Sequence, residues 1–387
     1  MEDRKKILWL PGWYPNRKDR FEGDFIQRHA RAAALYHDVH VLYVTDMDME
    51  HYSEEELQEA TGLTEQVIYF HSGKGFWGKV QKQFTWRKLY RRAIEQYVRR
   101  FGAPDLVHVH VSWKAGIIAM ELKRKNGWPY LVTEHWGIYN NKVADNFFRQ
   151  PSYRRNIIKR IFVEAKELLT PSIFLGAGIS SIVTRKAFHL LPNVVDTSLF
   201  FPREEKYATF TFLHVSNMVP LKNVSGILKA FNEIIVTGGI TDVQLILAGD
   251  RDHTYRHEAE ALGLLNRHVF FKGEISYRDV AREMQMAHCL VLNSTMENSP
   301  CVIGEALCCG LTVVAPAVGG IPELVDGSNG ILFDPAEEKS LAMAMLKIMQ
   351  QYHQYGTKLI AASAHQKFNY SAVGKIMDEA YRRIKNY

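Results

Sequence analysis

Leu290-Val-Leu-Asn-Ser-Thr-Met-Glu297-Asn-Ser-Pro300-Cys-Val-Ile-Gly-Glu305-Ala-Leu-Cys-Cys-Gly310 reads as a strand, a polar turn and a helix in succession. The apolar run ends near Asn293. Ser299 suits an N-cap, Pro300 the first helical position and Gly310 the C-terminal stop. Glu297 then stands just before a helix N-terminus and Glu305 about two turns inside it. Free amides at that terminus attract an anion. Two carboxylates are acceptors only, so amides and carboxylates together suit a ligand with phosphate and several hydroxyls. Spacing alone is weak, because a glutamate before a helix also answers the helix dipole.

The same grammar recurs on both sides of this stretch. Upstream, Phe210–Val215, Val243–Ala248, Val269–Phe271 and Cys289–Asn293 are strand candidates, and downstream Thr312–Val314 and Gly330–Phe333 join them. Asn223–Thr237, Asp279–Met286, Cys301–Cys309 and Ser340–Tyr352 are helices between them. In the first half Ile7–Leu10, Val39–Val44, Leu106–Val111 and Tyr130–Thr133 read as buried strands, with helices at Phe25–Leu35, Leu89–Phe101 and Gly116–Lys125. Strands alternating with helices imply βαβ units and parallel sheets. The 387 residues therefore read as α/β with two doubly wound, Rossmann-like domains. Residues 1–190 and 203–365 are their expected bounds, joined through the proline-flanked Leu191–Pro202. Ligands bind beyond the carboxyl ends of such strands.

Composition narrows the class. Apolar residues make up 47% and charged residues 23%, the mixture of a soluble globular chain, and no apolar run is long enough to span a bilayer. The N-terminus lacks the apolar core and cleavage site of a signal peptide, and Cys289, Cys301, Cys308 and Cys309 form no CxxC pair, so reduced thiols in the cytoplasm are expected. The net charge of +6 is uneven, with 30 Lys+Arg against 22 Asp+Glu in residues 1–200. Between Lys79 and Arg100 eight basic residues meet one acidic, interleaved with Phe84, Trp86, Tyr90 and Tyr97. Such a segment is either a solvated helix with a buried aromatic face or a peripheral contact with an anionic membrane surface. Nucleic acid is not the expected partner, since no recognition module accompanies the charge.

The Glu297 stretch resembles the E-x7-E signature of retaining GT-B glycosyltransferases of family four, the group 1 glycosyl transferases. Its neighbours are similar too: Leu245-Ile-Leu-Ala-Gly-Asp, Val269-Phe-Phe-Lys-Gly273, Thr312-Val-Val-Ala-Pro-Ala-Val-Gly-Gly-Ile-Pro-Glu323 and Asn329-Gly-Ile-Leu-Phe. The resemblance implies two domains facing across a cleft and a final helix, 371–387, packing back on the first domain. It implies that Glu297 contacts the donor sugar and Glu305 the ribose, with Ser299, Cys301 and Val302 around sugar and phosphates and Glu274 and Ile275 beside the base. Lys222-Asn223 matches the family's diphosphate-binding lysine. The family's usual arginine five residues earlier is Asn217 here, which brings no charge to a leaving group stabilised electrostatically. His214 and N-terminal basic residues are candidates to replace it.

In the first half Leu8-Trp-Leu-Pro-Gly-Trp-Tyr-Pro15 and Phe21-Glu-Gly23-Asp-Phe25 resemble the family's first strand and glycine loop, and Leu131-Val-Thr-Glu-His135-Trp-Gly137 its strand-end histidine. Gly23 would let phosphate approach the backbone, and His135 would reach the sugar or reaction centre. Glu134 is a second carboxylate beside it. Asp46-Met-Asp48 and Asp250-Arg-Asp252 have a metal-binding form but fall in polar loops, and His108 and His110 share one strand face without implying a metal. The expectation is thus a metal-independent, cofactor-free hexosyl-type transferase (EC 2.4) using a nucleoside diphosphate sugar. Its acceptor would be a glycan or lipid-linked hydroxyl in surface polysaccharide or glycolipid assembly, reached from the inner face of the membrane. A nucleotide-sugar epimerase of the same fold and a non-catalytic sugar-nucleotide-binding protein remain alternatives.

Overall fold

Near-continuous apolar strands need cover on both faces, and helices supply it. The computed structural model describes residues 4–49, 53–73, 75–140, 143, 145–183, 186–249 and 254–385. The chain divides into two units, residues 1–194 with 370–387, and residues 195–369. Asp250-Arg-Asp252 lies outside the described residues.

The first unit runs β1 (Lys6–Pro11), α1 (Asp24–Ala34), β2 (Asp38–Asp46), β3 (Ser53–Ala60), β4 (Leu63–Phe70), α2 (Gly75–Phe101) and β5 (Leu106–His110). It continues with α3 (Ala115–Asn126), β6 (Tyr130–Thr133), α4 (Ser152–Glu164), β7 (Leu168–Thr170), α5 (Ile173–Ile182) and β8 (His189–Leu190). Its sheet has the order β3-β4-β2-β1-β5-β6-β7-β8. All pairs are parallel except β3 with β4. One core, including Leu8, Leu42, Val109 and Phe162, covers one face, and a second, including Trp9, Ile26, Val41 and Tyr381, covers the other.

The second unit runs β9 (Phe210–Val215), α6 (Val224–Val236), β10 (Val243–Ala248), α7 (Thr254–Ala261), β11 (Val269–Gly273), α8 (Tyr277–Met286) and β12 (Cys289–Val291). Then come α9 (Cys301–Cys308), β13 (Thr312–Pro316), β14 (Gly330–Phe333), α10 (Ser340–Gln351) and α11 (Thr357–Phe368). Its sheet is wholly parallel in the order β11-β10-β9-β12-β13-β14. The last helix, α12 (Tyr370–Lys385), belongs to the first unit and packs on α1. Its Tyr381 hydroxyl lies 2.7 Å from His108 Nδ1, and Lys5 donates to the Tyr381 carbonyl at 2.7 Å. Among the described residues no helix is long and apolar enough to cross a membrane.

Two sequence expectations are corrected, and one hairpin is added. The β3–β4 hairpin has no counterpart in the sequence reading, because β3 is Ser-Glu-Glu-Glu-Leu-Gln-Glu-Ala and mostly exposed. It is a strand by pairing with β4 across a turn at Gly62, φ 74°. The helix expected from Leu89 begins at Gly75, so the whole basic stretch lies on one helix. Pro300, not Ser299, precedes the first helical residue of α9.

Candidate functional site

In the second unit β9 lies between β10 and β12, so the chain leaves β9 on opposite sides and the loops after β9 and β12 meet. That is the topological switch point, where open parallel sheets bind ligands. The two loops are tied by Thr295 N–H donating to the Leu221 carbonyl at 2.9 Å. Lys222 comes from the first and Glu297 from the second, and Lys222 Nζ stands 2.5 Å from Glu297 Oε1. The pair is mostly buried, with side-chain exposures of 21% and 11%. The Glu297 carbonyl accepts from Gly320 N–H at 3.0 Å, and Gly319 beside it holds φ 58°.

The Lys222 loop is shaped from beneath. His214 is fully buried, with Nδ1 2.9 Å from the Val291 carbonyl and Nε2 2.8 Å from Ser216 Oγ. A carbonyl only accepts, so Nδ1 carries the proton and Nε2 accepts from Ser216. Ser216 Oγ in turn accepts from Met218 N–H at 3.0 Å, where the backbone turns through φ 50°. Burial lowers the His214 pKa to about 4, with the Lys222 charge adding to the effect. His214 is therefore neutral near pH 7 and cannot replace the cation missing at Asn217. Asn217 itself is exposed on the same turn.

Glu305 is buried at 6% exposure, and its Oε1 accepts from the Tyr277 hydroxyl at 3.0 Å. The helix α9 that carries it ends in a Schellman motif. Leu311 N–H reaches the Ala306 carbonyl at 3.0 Å and Gly310 N–H the Leu307 carbonyl at 2.9 Å, with Gly310 at φ 74°. Ser299, Cys301 and Val302 are half-buried around the other end. Glu274 is exposed and Ile275 half-buried, just after Gly273 at φ 69°.

In the first unit Gly23 is the N-cap of α1 at φ 66°, and a Cβ there would meet the Trp13 carbonyl oxygen at 2.6 Å. His135 is half-buried, its ring 4.8 Å from that of Phe25 on α1 and 5.5 Å from that of His110. His135 Nε2 and His110 Nδ1 are 3.3 Å apart. Desolvation, with the nearby His29 adding, holds the His135 pKa well below the usual range, so the ring is neutral. Glu134 is not an open second carboxylate. It is fully buried and accepts from Ser112 N–H at 3.0 Å, Tyr139 hydroxyl at 2.9 Å, and the His135 and Trp136 amides at 2.9 Å each. It shapes the turn that presents His135. Asp46 pairs with Lys82 at 2.7 Å while Asp48 is 92% exposed, and no three metal-ligating side chains converge among the described residues.

Residues 26–199 match the family model described as Glycosyltransferase Family 4, and residues 196–365 that described as Glycosyl transferases group 1. The chain belongs to the family-four, group 1 glycosyltransferases. Its curated relatives include an MMP alpha-(1→4)-mannosyltransferase of Mycolicibacterium hassiacum, 28% identical over 67% of this chain and 65% of that protein. A D-inositol 3-phosphate glycosyltransferase of Corynebacterium jeikeium is 24% identical over 72% of each chain. The match thus spans 65% of the mannosyltransferase's length, and 65% also of an uncharacterized glycosyltransferase of Methanocaldococcus jannaschii. In fold, sucrose-phosphate synthase from Thermosynechococcus elongatus superimposes with a TM-score of 0.78 at 19% identity, covering 99% of this chain and 100% of that one. HepE of Anabaena, solved with UDP and glucose, gives 0.72 at 19% identity over 97% and 99%. The fold class is that of GT-B glycosyltransferases, two parallel-sheet units in one chain.

The second unit brings Lys222 and Glu297 into contact and sets Glu305 on the helix that follows. The first unit brings His135 beside the α1 helix that Gly23 begins. Tyr277, the hydrogen-bond partner of Glu305, escapes sequence reasoning because it lies 28 positions away on α8. Its only signal is a position two residues beyond Ile275. Gly319 is readable as part of a Gly-Gly pair, but its need for a bare backbone appears only where it meets Glu297.

Proposed function

We propose that the protein transfers a hexose-type sugar from a nucleoside diphosphate sugar to a hydroxyl acceptor, with retention at the anomeric carbon and without a metal. The observation that carries this is the contact of Lys222 with Glu297 at the second unit's switch point. One cation and one carboxylate at the start of a helix suit a diphosphate joined to a sugar. The Glu297 side chain would orient sugar hydroxyls, Glu305 with Tyr277 would take the ribose, and Lys222 would meet the departing diphosphate, whose charge the transition state must stabilise. His135, kept neutral, can donate to a sugar hydroxyl. HepE is described with UDP and glucose, and the named relatives are glycosyltransferases, which supports the same reading here.

A thermal-shift panel of UDP-, GDP-, ADP- and dTDP-sugars tests it. One base should raise Tm in the wild type, and Glu305→Ala should weaken that nucleotide by about tenfold, the loss of one good charged hydrogen bond. No response to any nucleotide would end the donor assignment. Asn217 favours a second reading, a protein that binds the sugar nucleotide without turning it over. Product analysis separates the readings: transfer to an acceptor supports the first, and binding with no hydrolysis, epimerisation or transfer supports the second. The exposed basic residues of α2, Arg87, Lys88, Arg91, Arg92, Arg99 and Arg100, with Phe84 at 73% exposure, suit attachment to an anionic membrane where a lipid-linked acceptor would lie. Flotation with anionic liposomes should then be lost as salt rises.

A further inference from the structure

The two histidines of β5 are bound in different ways. Side chains two apart on a strand share a face, and the rings of His108 and His110 are both fully buried there. His108 is used up by packing: its Nδ1 lies 2.7 Å from the Tyr381 hydroxyl and its Nε2 2.7 Å from Thr133 Oγ1. His29 is used up as well, with its nitrogens 2.9 and 3.0 Å from the carbonyls of Phe25 and Pro192. His110 is held by its faces instead, with the Trp9 ring centre at 4.1 Å and the His108 ring centre also at 4.1 Å. Its edges are what remain for hydrogen bonds.

One edge meets His135. His110 Nδ1 and His135 Nε2 are 3.3 Å apart, the ring centres are 5.5 Å apart and the ring planes are 10° from parallel. The centres are farther apart than the nitrogens by about two ring radii, so both nitrogens lie near the line joining the centres. The rings therefore meet edge to edge, in the geometry of an N–H···N hydrogen bond, and not face to face. The other edge of His110, at Nε2, is buried and has no hydrogen-bond partner among the described residues.

A neutral imidazole has one N–H and one bare nitrogen. Burial, with the neighbouring histidines adding, holds the His110 pKa well below its ordinary value, so His110 is neutral as His135 is. Two arrangements satisfy the shared bond. If His135 donates, the His110 proton sits on Nε2 and becomes a buried donor without an acceptor. If His110 donates from Nδ1, its Nε2 is only an unused lone pair. An orphaned buried N–H is rarer than an under-used acceptor, and leaving it unmade costs its full desolvation. The second arrangement is the favoured one, in which His135 accepts at Nε2 and carries its own proton on Nδ1. The backbone of His135 is fixed independently, through its amide bond to Glu134 at 2.9 Å.

We propose that His110 is a positioning residue that fixes the tautomer of His135, so that the hydrogen His135 offers to a sugar hydroxyl is the one on Nδ1. The proposal rests on the donor-sugar role given to His135 above, but the tautomer is readable without any sugar. Long-range proton–nitrogen correlation NMR of the full chain, isotopically labelled in histidine and assigned with His110→Asn and His135→Asn, should show both rings protonated at Nδ1. A proton on His135 Nε2 overturns the proposal. His110→Asn places an amide N–H where the Nδ1 hydrogen was, and His110→Phe keeps a ring but offers no donor. His135 should keep its tautomer in His110→Asn and become a mixture of tautomers in His110→Phe. With the sugar nucleotide that the thermal-shift panel selects, His110→Phe should lower kcat by about tenfold at nearly unchanged KM, the loss expected for one neutral hydrogen bond, and His110→Asn should recover most of it. A His135 tautomer indifferent to His110→Phe, or a kcat equally low in both variants, overturns the proposal. If His110→Phe fails to fold, the wild-type spectrum and the tautomer in His110→Asn decide. If no sugar nucleotide is turned over, the transferase reading fails while the spectra still decide the tautomer.

Discussion

A β-carbon at Gly319 would stand 1.8 Å from the Glu297 carbonyl oxygen, and the backbone there already has φ 58°. An alanine carries both costs, the left-handed backbone at about 1–2 kcal/mol and a clash that only movement of the Glu297 turn relieves. Gly319→Ala should therefore lower nucleotide affinity by at least about tenfold while the far-ultraviolet circular dichroism is kept. Unchanged affinity would show that the Glu297 turn is not part of the donor site. At this scale the sequence makes Glu297, Glu305 and Lys222 visible, since each sits in a strand–turn–helix grammar that the chain spells locally. Tyr277 and the proton position on His214 are not visible, because both depend on partners that only the fold brings near. The disqualification of His214 as a cation has the same origin, for burial is a property of the fold and not of the residue.

The helix α9 shows what local signals can and cannot specify. Its C-terminal glycine is legible because only a left-handed residue closes a Schellman motif, whereas its N-terminus begins at Pro300 rather than with a serine cap. Gly310 has φ 74°, and a Cβ there would lie 2.7 Å from the Thr357 carbonyl oxygen. Gly310→Ala should destabilise the second unit by about 1–2 kcal/mol or more, read as a lower urea midpoint. An unshifted midpoint would mean that the α9–α11 packing yields freely. The β3–β4 hairpin stays hidden for a different reason. Four glutamates in eight residues carry no strand signature, and only cross-strand pairing makes them one. The start of α2 is missed because Gly73, Gly75 and Gly78 punctuate its beginning and read as loop.

Across the whole molecule, buried neutral histidines set the response to acid. His29 in the first unit and His214 in the second are fully buried, and burial lowers the pKa of each to about 4 from 6.5. Below pH 6.5 the unfolded chain takes up protons that the native chain refuses, so stability falls with pH until about pH 4, where native protonation begins. Each group can withdraw up to about 3 kcal/mol over that window. Thermal unfolding should move to lower temperature between pH 7.5 and 4.5, and His214→Gln should flatten the trend. A Tm constant over that range would contradict the burial argument. The fold at this scale is readable from alternation alone, since βαβ repetition leaves few topologies open.

The placement of α12 sets a timetable for biosynthesis. It is the last described element in sequence, yet it belongs to the first unit and closes its core with Val373, Met377, Ala380, Tyr381 and Ile384, all buried. The large ones are worth about 1.5–3 kcal/mol each, against a typical native margin of about 5–15 kcal/mol. A nascent chain therefore emerges from the ribosome with its opening half unfinished and an apolar flank bare. That half must wait through the synthesis of all of residues 195–369 before its own closing piece arrives. Stalling translation after residue 369 should yield a first unit that chaperones hold and proteases cut, and supplying residues 370–387 as a separate peptide should restore protease resistance.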